Sequence, residues 1–265
     1  MHSSKSASND RADRALCCVD AEAIAARLRG GAALEVQTLI ETVDEVTEPG
    51  AFPGLWGGTG AGLGWFDLGD AGLLINSAAF GVETVWHLPA GGSGPAVPRR
   101  VATQARIVAS SPEAYQVMAV LQSPVRRPTL VAASVDSLLR ESAEATLDDA
   151  SDVWRPFWGD TGGDGWHGAS WADTTLAPPT RISPSNLYGE VVQYHSVLPP
   201  ESARNGAAVV YPHGGPHSVT TSAFNSAASY FSQLGYTVHL VNYRGSLSWG
   251  QGTIKALKGR CGDIE

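Results

Sequence analysis

At 265 residues the chain has room for one large domain or two small ones, and 43% apolar residues supply an ordinary core. A net charge of −8, with no basic cluster larger than the Arg99-Arg100 and Arg126-Arg127 pairs, argues against nucleic acid or a membrane surface as partner. The three cysteines write no disulfide framework, no apolar signal segment opens the chain, and no run nears the roughly 18 apolar residues of a membrane span, which together predict a reducing, cytoplasmic location.

Residues 1–30 read as a loose N-terminus. From about residue 50 to 180 short apolar runs alternate with Gly, Pro, Asn and Asp clusters, the pattern of a mainly β segment, assigned to 31–182. The run Leu73 to Phe80, a turn at Gly81-Val82-Glu83 and the run Thr84 to Leu88 predict one hairpin. Arg106 to Ser110, a turn at 111–113 and Tyr115 to Gln122 predict a second, with Thr129 to Ser134 a further strand. The recurrence is near the blade period of a β-propeller, but two or three units cannot close a ring of at least four blades. Either an antiparallel sandwich or an open, incomplete propeller satisfies the pattern. The segment "SVDSLLRESAEATLDDA" reads as a helix or charged loop, its acidic residues a solvated face.

After about residue 183 the period changes. "EVVQYHSVL" is strand-like, "AAVVYP" is a continuous apolar run of the kind buried on both faces, and "TTSAFNSAASYFSQL" carries apolar residues at helical spacing ahead of a C-capping Gly235. "YTVHLVNY" reads as another buried strand. Strand, turn, helix, glycine and strand make one βαβ unit, which predicts parallel strands over 207–212 and 236–242 joined by a helix over about 222–234. Ligands gather at the carboxyl ends of such strands, where His213-Gly214-Gly215-Pro216 and Asn242-Tyr243-Arg244-Gly245 stand. Gly214 and Gly215 are both expected at φ > 0, either as a simple strand-to-helix connection or to leave a backbone N–H uncovered for a developing negative charge.

The string "VVYPHGGPHS", the amphipathic segment after it, "LGYTVHLVNYRGSLSWGQ" and "GDIE" resemble the start of the α/β-hydrolase domain of the prolyl oligopeptidase family, most of all its acylaminoacyl peptidases. "FPGLWG" and the broken strands to about 180 are similar to the final blades of the propeller that precedes that domain. The fold the resemblance implies is β then α/β: the C-terminal blades of an open, incomplete propeller over 31–182, then the first βαβ part of the hydrolase domain over 183–265, with a linker near "APPTRISPSN". Its implied activity is removal of an N-acylated residue from a short peptide by Ser-His-Asp acyl transfer, the propeller acting as a size filter. It implies no cofactor and no metal, since a Ser triad needs neither; His167, His195, His217 and His239 show no metal-ligand spacing.

The same resemblance assigns the oxyanion-hole backbone donor to Gly215 and leaves His213, Gly214 and Arg244 as candidate substrate contacts. His213 stands at the wrong place in the order Ser, Asp, His to be the triad base; it either stabilises the turn or meets substrate. Arg244 either pairs with a carboxylate at the domain interface or faces substrate, and Asn242 and Tyr243 carry the same alternatives. No Gly-x-Ser-x-Gly occurs; the nearest string, Gly168-Ala169-Ser170-Trp171-Ala172, does not follow an apolar strand. The chain is therefore expected to be an interior piece of a serine peptidase that ends ahead of the nucleophile elbow and is inactive alone, with its free strand edges at 209–212 and 238–241. The alternative is a non-catalytic short form that binds or regulates a full-length protomer, which leaves a homo-oligomer open.

Overall fold

The computed structural model describes residues 15–19, 21–31, 33–44, 46, 51–56, 64–91, 94–140, 153–158, 170–175 and 193–263. Part of the segment read as a loose N-terminus is regular: β1 (Leu16–Cys18) pairs antiparallel with β2 (Gln37–Ile40), and α1 (Ala21–Leu28) lies between them. Three-residue strands carry almost no periodic signal, and this one acquires its partner about twenty residues on.

Two four-stranded antiparallel sheets follow, each a meander. The first joins β3 (Trp65–Asp67), β4 (Leu73–Asn76), β5 (Thr84–Leu88) and β6 (Arg99–Thr103) in chain order. The second joins β7 (Ala105–Ser111), β8 (Gln116–Ser123), β9 (Arg126–Ser134) and β10 (Arg155–Trp158). Both hairpins read from the sequence are present, with Leu73 opposite Leu88 and Ser111 opposite Gln116. The first strand ends at Asn76, though the Ser77 N–H still donates to the Thr84 carbonyl and Ala79 pairs with Val82 as an isolated bridge. The short outer strands β3, β6 and β10 have no clear alternation and were not legible. Among the described residues the two sheets do not close into a ring.

Strand alternation places Leu74 and Val85 on one face of the first sheet, against Ile107, Val117, Ala119 and Val131 of the second. Ile75 and Trp86 point the other way onto Phe52, Leu55 and Ile40, with Phe52 and Trp86 edge to face at 5.0 Å. Burial on both sides explains why all five residues of β5 are inside.

The third sheet has the order β11 (Ser170–Thr175), β12 (Gln193–Leu198), β14 (Thr237–Asn242), β13 (Ala208–Pro212). β13 and β14 are parallel, with Val209 beside Val238, and α3 (Ser226–Gln233) is the crossover between them, as the βαβ pattern predicts. β12 runs antiparallel to β14 and β11 antiparallel to β12. β11 lies within 31–182 yet pairs in this C-terminal sheet; the 182/183 boundary and the linker string fall outside the described residues.

Three expectations about this unit need correction. The helix begins at Ser226, because the Asn225 side chain accepts from the Ala228 N–H at 2.9 Å and caps it there; residues 222–225 are a loop. β14 is not an edge, since it stands between β12 and β13, and its residues alternate between buried and half-buried. β13 is the edge, and its apolar run is not buried on both faces: Val210 is 66% and Tyr211 47% exposed. An apolar strand reads as interior whether or not a neighbour covers it. Small side chains, Ala228, Ser229 and Ser232, let α3 sit close on the sheet over Val197, Val238 and Leu240. The last helix, α4 (Gln251–Leu257), packs Ile254 with Val219, Leu247 and Trp56, so Trp56 of the "FPGLW" string joins the C-terminal core while Phe52 and Leu55 stay on the first sheet.

Candidate functional site

The parallel pair brings two segments to one end of the sheet: 213–222 after β13 and 242–248 after β14. Of the two glycines in the first, only Gly215 has a positive φ, +60°; Gly214 does not, contrary to expectation. One left-handed residue suffices to turn the chain before Pro216, whose own φ is preset. A Cβ built on Gly215 would meet nothing within 4 Å. The glycine thus serves its backbone angle and keeps the space in front of it open. Among the described residues no group accepts a hydrogen bond from the Gly215 N–H.

His213 is engaged on every side. Its Nδ1 lies 3.3 Å from the Gly214 carbonyl and its Nε2 2.8 Å from the Ser246 Oγ, and its ring stacks on Tyr243 at 4.5 Å and 22°. With Nδ1 donating to the carbonyl, Nε2 accepts from the serine hydroxyl. Tyr243 in turn donates its hydroxyl to the His213 carbonyl at 2.7 Å. Burial holds the imidazole below its ordinary value, partly offset by the bond to Gly214. A neutral ring with both nitrogens engaged fastens the turn to the segment after β14.

Asn242 does the same from the strand end. Its Oδ1 accepts from the Thr220 N–H at 2.8 Å, and its Nδ2 donates to the Thr220 carbonyl at 2.9 Å and to Gln193 Oε1 at 2.7 Å. The Leu247 N–H donates to the Ser218 carbonyl at 2.8 Å, a further stitch between the two segments. Arg244 is buried, 6% exposed, which places its guanidinium inside the fold and not on an open surface.

Ser170 opens β11 opposite Leu198, a strand position and not a strand-to-helix elbow. A Ser-His contact that sequence reasoning missed joins β12 to β14: Ser196 Oγ lies 2.9 Å from His239 Nδ1. Both residues stand in mid-strand and directly opposite one another, where backbone N–H groups serve the ladder and cannot face a substrate carbonyl. That pair is cross-strand packing. Among the described residues no three His, Cys, Asp or Glu side chains converge on a metal position, and no helix is long and apolar enough to cross a membrane.

One acidic group borders the site. Glu83, just after the β4–β5 turn, is half-buried, and desolvation raises its pKa; the bond from Gln122 Nε2 to its Oε2 at 2.9 Å and the Arg106 charge oppose that shift. A raised folded-state pKa contributes stability that is complete below the unfolded carboxylate value and lost as pH rises through the folded one. Glu83→Gln keeps a carbonyl to accept from Gln122 and removes the ionisable proton. Its thermal midpoint is expected to exceed that of the parent at pH 7.5, with the gap narrowing toward pH 4.5. Calorimetry at the two pH values checks it, and a parent more stable than the variant at pH 7.5 is the contrary outcome.

No protein-family model matches the chain. It is similar to the acylamino-acid-releasing enzymes of Arabidopsis thaliana, 34% identical over 73 residues, and of Homo sapiens, 35% identical over 95. Those stretches are 28% and 35% of this chain but only 10% and 13% of the relatives' own length. Among solved structures the chain resembles prolyl oligopeptidase B from Galerina marginata, with TM-score 0.55, 12% identity, and coverage of 86% of this chain and 28% of that one. A post-proline cleaving enzyme from Rickettsia typhi gives TM-score 0.54, 9% identity, and coverage of 93% and 32%. At such identities the structural likeness speaks for the fold alone.

Proposed function

We propose that this chain, a sequence relative of the acylamino-acid-releasing enzymes with the fold of prolyl oligopeptidase-type chains, contributes half of an oxyanion hole to a serine peptidase. The observation that carries the reading is Gly215: a left-handed glycine, φ +60°, with its N–H uncovered at the carboxyl end of one of two parallel strands. In α/β-hydrolases the loop at that position supplies one donor and the residue after the nucleophile supplies the other. When a serine attacks the acyl carbonyl, charge grows on oxygen, and a donor already fixed in place stabilises it without reorganising. The relatives' name, acylamino-acid-releasing enzyme, supports a substrate whose first residue is acylated, and a short peptide is the form proposed for it. The two antiparallel sheets act as blades that screen substrate by size. No Gly-x-Ser-x-Gly lies in the 265 residues, and the nucleophile comes from another part of the catalytic unit.

Residues 1–265 alone are then expected to leave an acetyl-amino-acid anilide unhydrolysed above background and to resist fluorophosphonate, which reports an activated serine. The same segment joined to an elbow-bearing partner segment is expected to hydrolyse the anilide. Stoichiometric labelling of any serine in 1–265, Ser170 and Ser196 included, would overturn the reading by revealing a nucleophile within the chain.

A further inference from the structure

The β4–β5 hairpin ends in a two-residue turn between Ala79 and Val82, with Phe80 at φ +51° and Gly81 at φ +75°. Two successive left-handed residues are the type I′ geometry that suits the twist of a hairpin. A phenylalanine seldom occupies that region, and such residues persist where surrounding contacts hold them. Here the contacts come from the other half of the chain. The Phe80 N–H donates to the Ser248 carbonyl at 3.3 Å, and the Gly81 N–H donates to Ser248 Oγ at 2.9 Å. The Gly81 carbonyl accepts from the Ser222 N–H at 2.8 Å and faces His195 Nε2 at 3.2 Å. The Glu83 N–H donates to Ser222 Oγ at 3.0 Å.

No side chain fits at Gly81. A Cβ on Gly81 would lie 2.8 Å from Gln193 Oε1, 2.9 Å from Asn242 Nδ2 and 3.0 Å from His195 Nε2, atoms of side chains that are all buried. The second sheet continues the contact: the Phe224 N–H donates to Gln122 Oε1 at 3.3 Å and the Asn225 N–H to the Pro124 carbonyl at 3.2 Å. The segment between the Gly215 turn and α3 therefore spends the N–H groups of residues 222, 224 and 225 on the antiparallel sheets. Residue 220 uses its N–H on Asn242, which itself borders Gly81.

We propose that the Phe80–Gly81 turn is a latch that positions the Gly215 turn, with Gly81 the positioning residue. One residue of that hairpin, Gly81, bridges both segments at the carboxyl end of the parallel pair, its N–H on Ser248 after β14 and its carbonyl on Ser222 after β13. The antiparallel sheets thereby set the geometry of the donor as well as access to it. This rests on the oxyanion reading of Gly215, but the test does not require catalysis.

Amide hydrogen exchange of the 265-residue chain is the measurement. Gly81→Ala, in which both the Cβ contacts and the left-handed φ are strained, is expected to speed exchange at the hydrogen-bonded amides of residues 220, 222, 224, 225, 246 and 247 by about tenfold or more, leaving β8 and β9 at their parent rates. Ser248→Ala and Ser222→Ala remove the latch bonds without adding bulk, and they keep the test open should Gly81→Ala not fold; each is expected to give the same regional pattern at smaller size. Acceleration spread evenly over all three sheets, or none at residues 220–225 in either serine variant, overturns the latch. In a catalytically complete chain Ser248→Ala is expected to lower kcat more than it changes KM. If Gly215→Val leaves kcat intact while the regional exchange pattern holds, the oxyanion reading fails and the latch stands.

Discussion

In a catalytically complete chain that carries this turn, Gly215→Val is expected to lower kcat by on the order of 10² to 10³ with little change in KM, because the lost bond strengthens mainly in the transition state. The donor is backbone, and removing it requires a change of conformation. Valine is branched at Cβ and resists the +60° φ of this residue, and its methyls would enter space that now holds nothing within 4 Å. His213→Ala is the contrast: it gives up the Ser246 bond and the stacking on Tyr243, which costs about 1 kcal/mol of stability or somewhat more and lowers kcat far less than Gly215→Val does. Steady-state kinetics on acetyl-amino-acid anilides separates the two. Should the folded Gly215→Val chain keep its kcat within about threefold, roughly 0.65 kcal/mol, the turn is only a turn.

The largest loss of stability is expected from Asn242→Ala. The side chain is 1% exposed and makes three hydrogen bonds, two to Thr220 and one to Gln193. Alanine leaves the Thr220 N–H and carbonyl, which are partly buried, and the fully buried Gln193 Oε1 without that partner. At roughly 1 to 3 kcal/mol for each buried polar group so stranded, the cost comes to about 3 kcal/mol, a fall in thermal midpoint of about 6 to 12 °C for a chain of this size. Asn242→Asp is expected to do no better, since a carboxylate accepts from the Thr220 N–H but cannot donate to the Thr220 and Gln193 oxygens. Denaturant unfolding measures both, and a cost for Asn242→Ala below about 1 kcal/mol would show that the 213–222 segment is held by its other bonds.

The sequence by itself determined those parts of the molecule whose cause is local. The parallel pair and its helix follow from two apolar runs on either side of a helical spacing, and their bounds moved by one residue at each strand start. Both hairpins follow from apolar runs broken by turn residues. A bend at 214–215 was legible because glycine pairs before proline do little else. Which glycine takes the left-handed angle was not, because either one can, and the choice of Gly215 falls where His213 is held by Ser246 and Tyr243.

Tertiary structure alone decided what has no local cause. β13 is apolar yet exposed because its position at the sheet end, and not its composition, sets its burial. The helix predicted from residue 222 starts at Ser226, where Asn225 caps it, and the segment before it is held by N–H bonds to Gly81, Gln122 and Pro124. The bonds that join the two halves span long separations: Gly81 and Ser248 are 167 residues apart, Glu83 and Ser222 139, Gln122 and Phe224 102. Periodicity reports which face of one element is apolar; it carries no information on which distant backbone group will stand opposite a given N–H. A serine in a loop and a glycine in a hairpin turn look the same whether they face water or each other, and only the packing of the antiparallel sheets against the parallel pair brings Gly81 between Ser222 and Ser248.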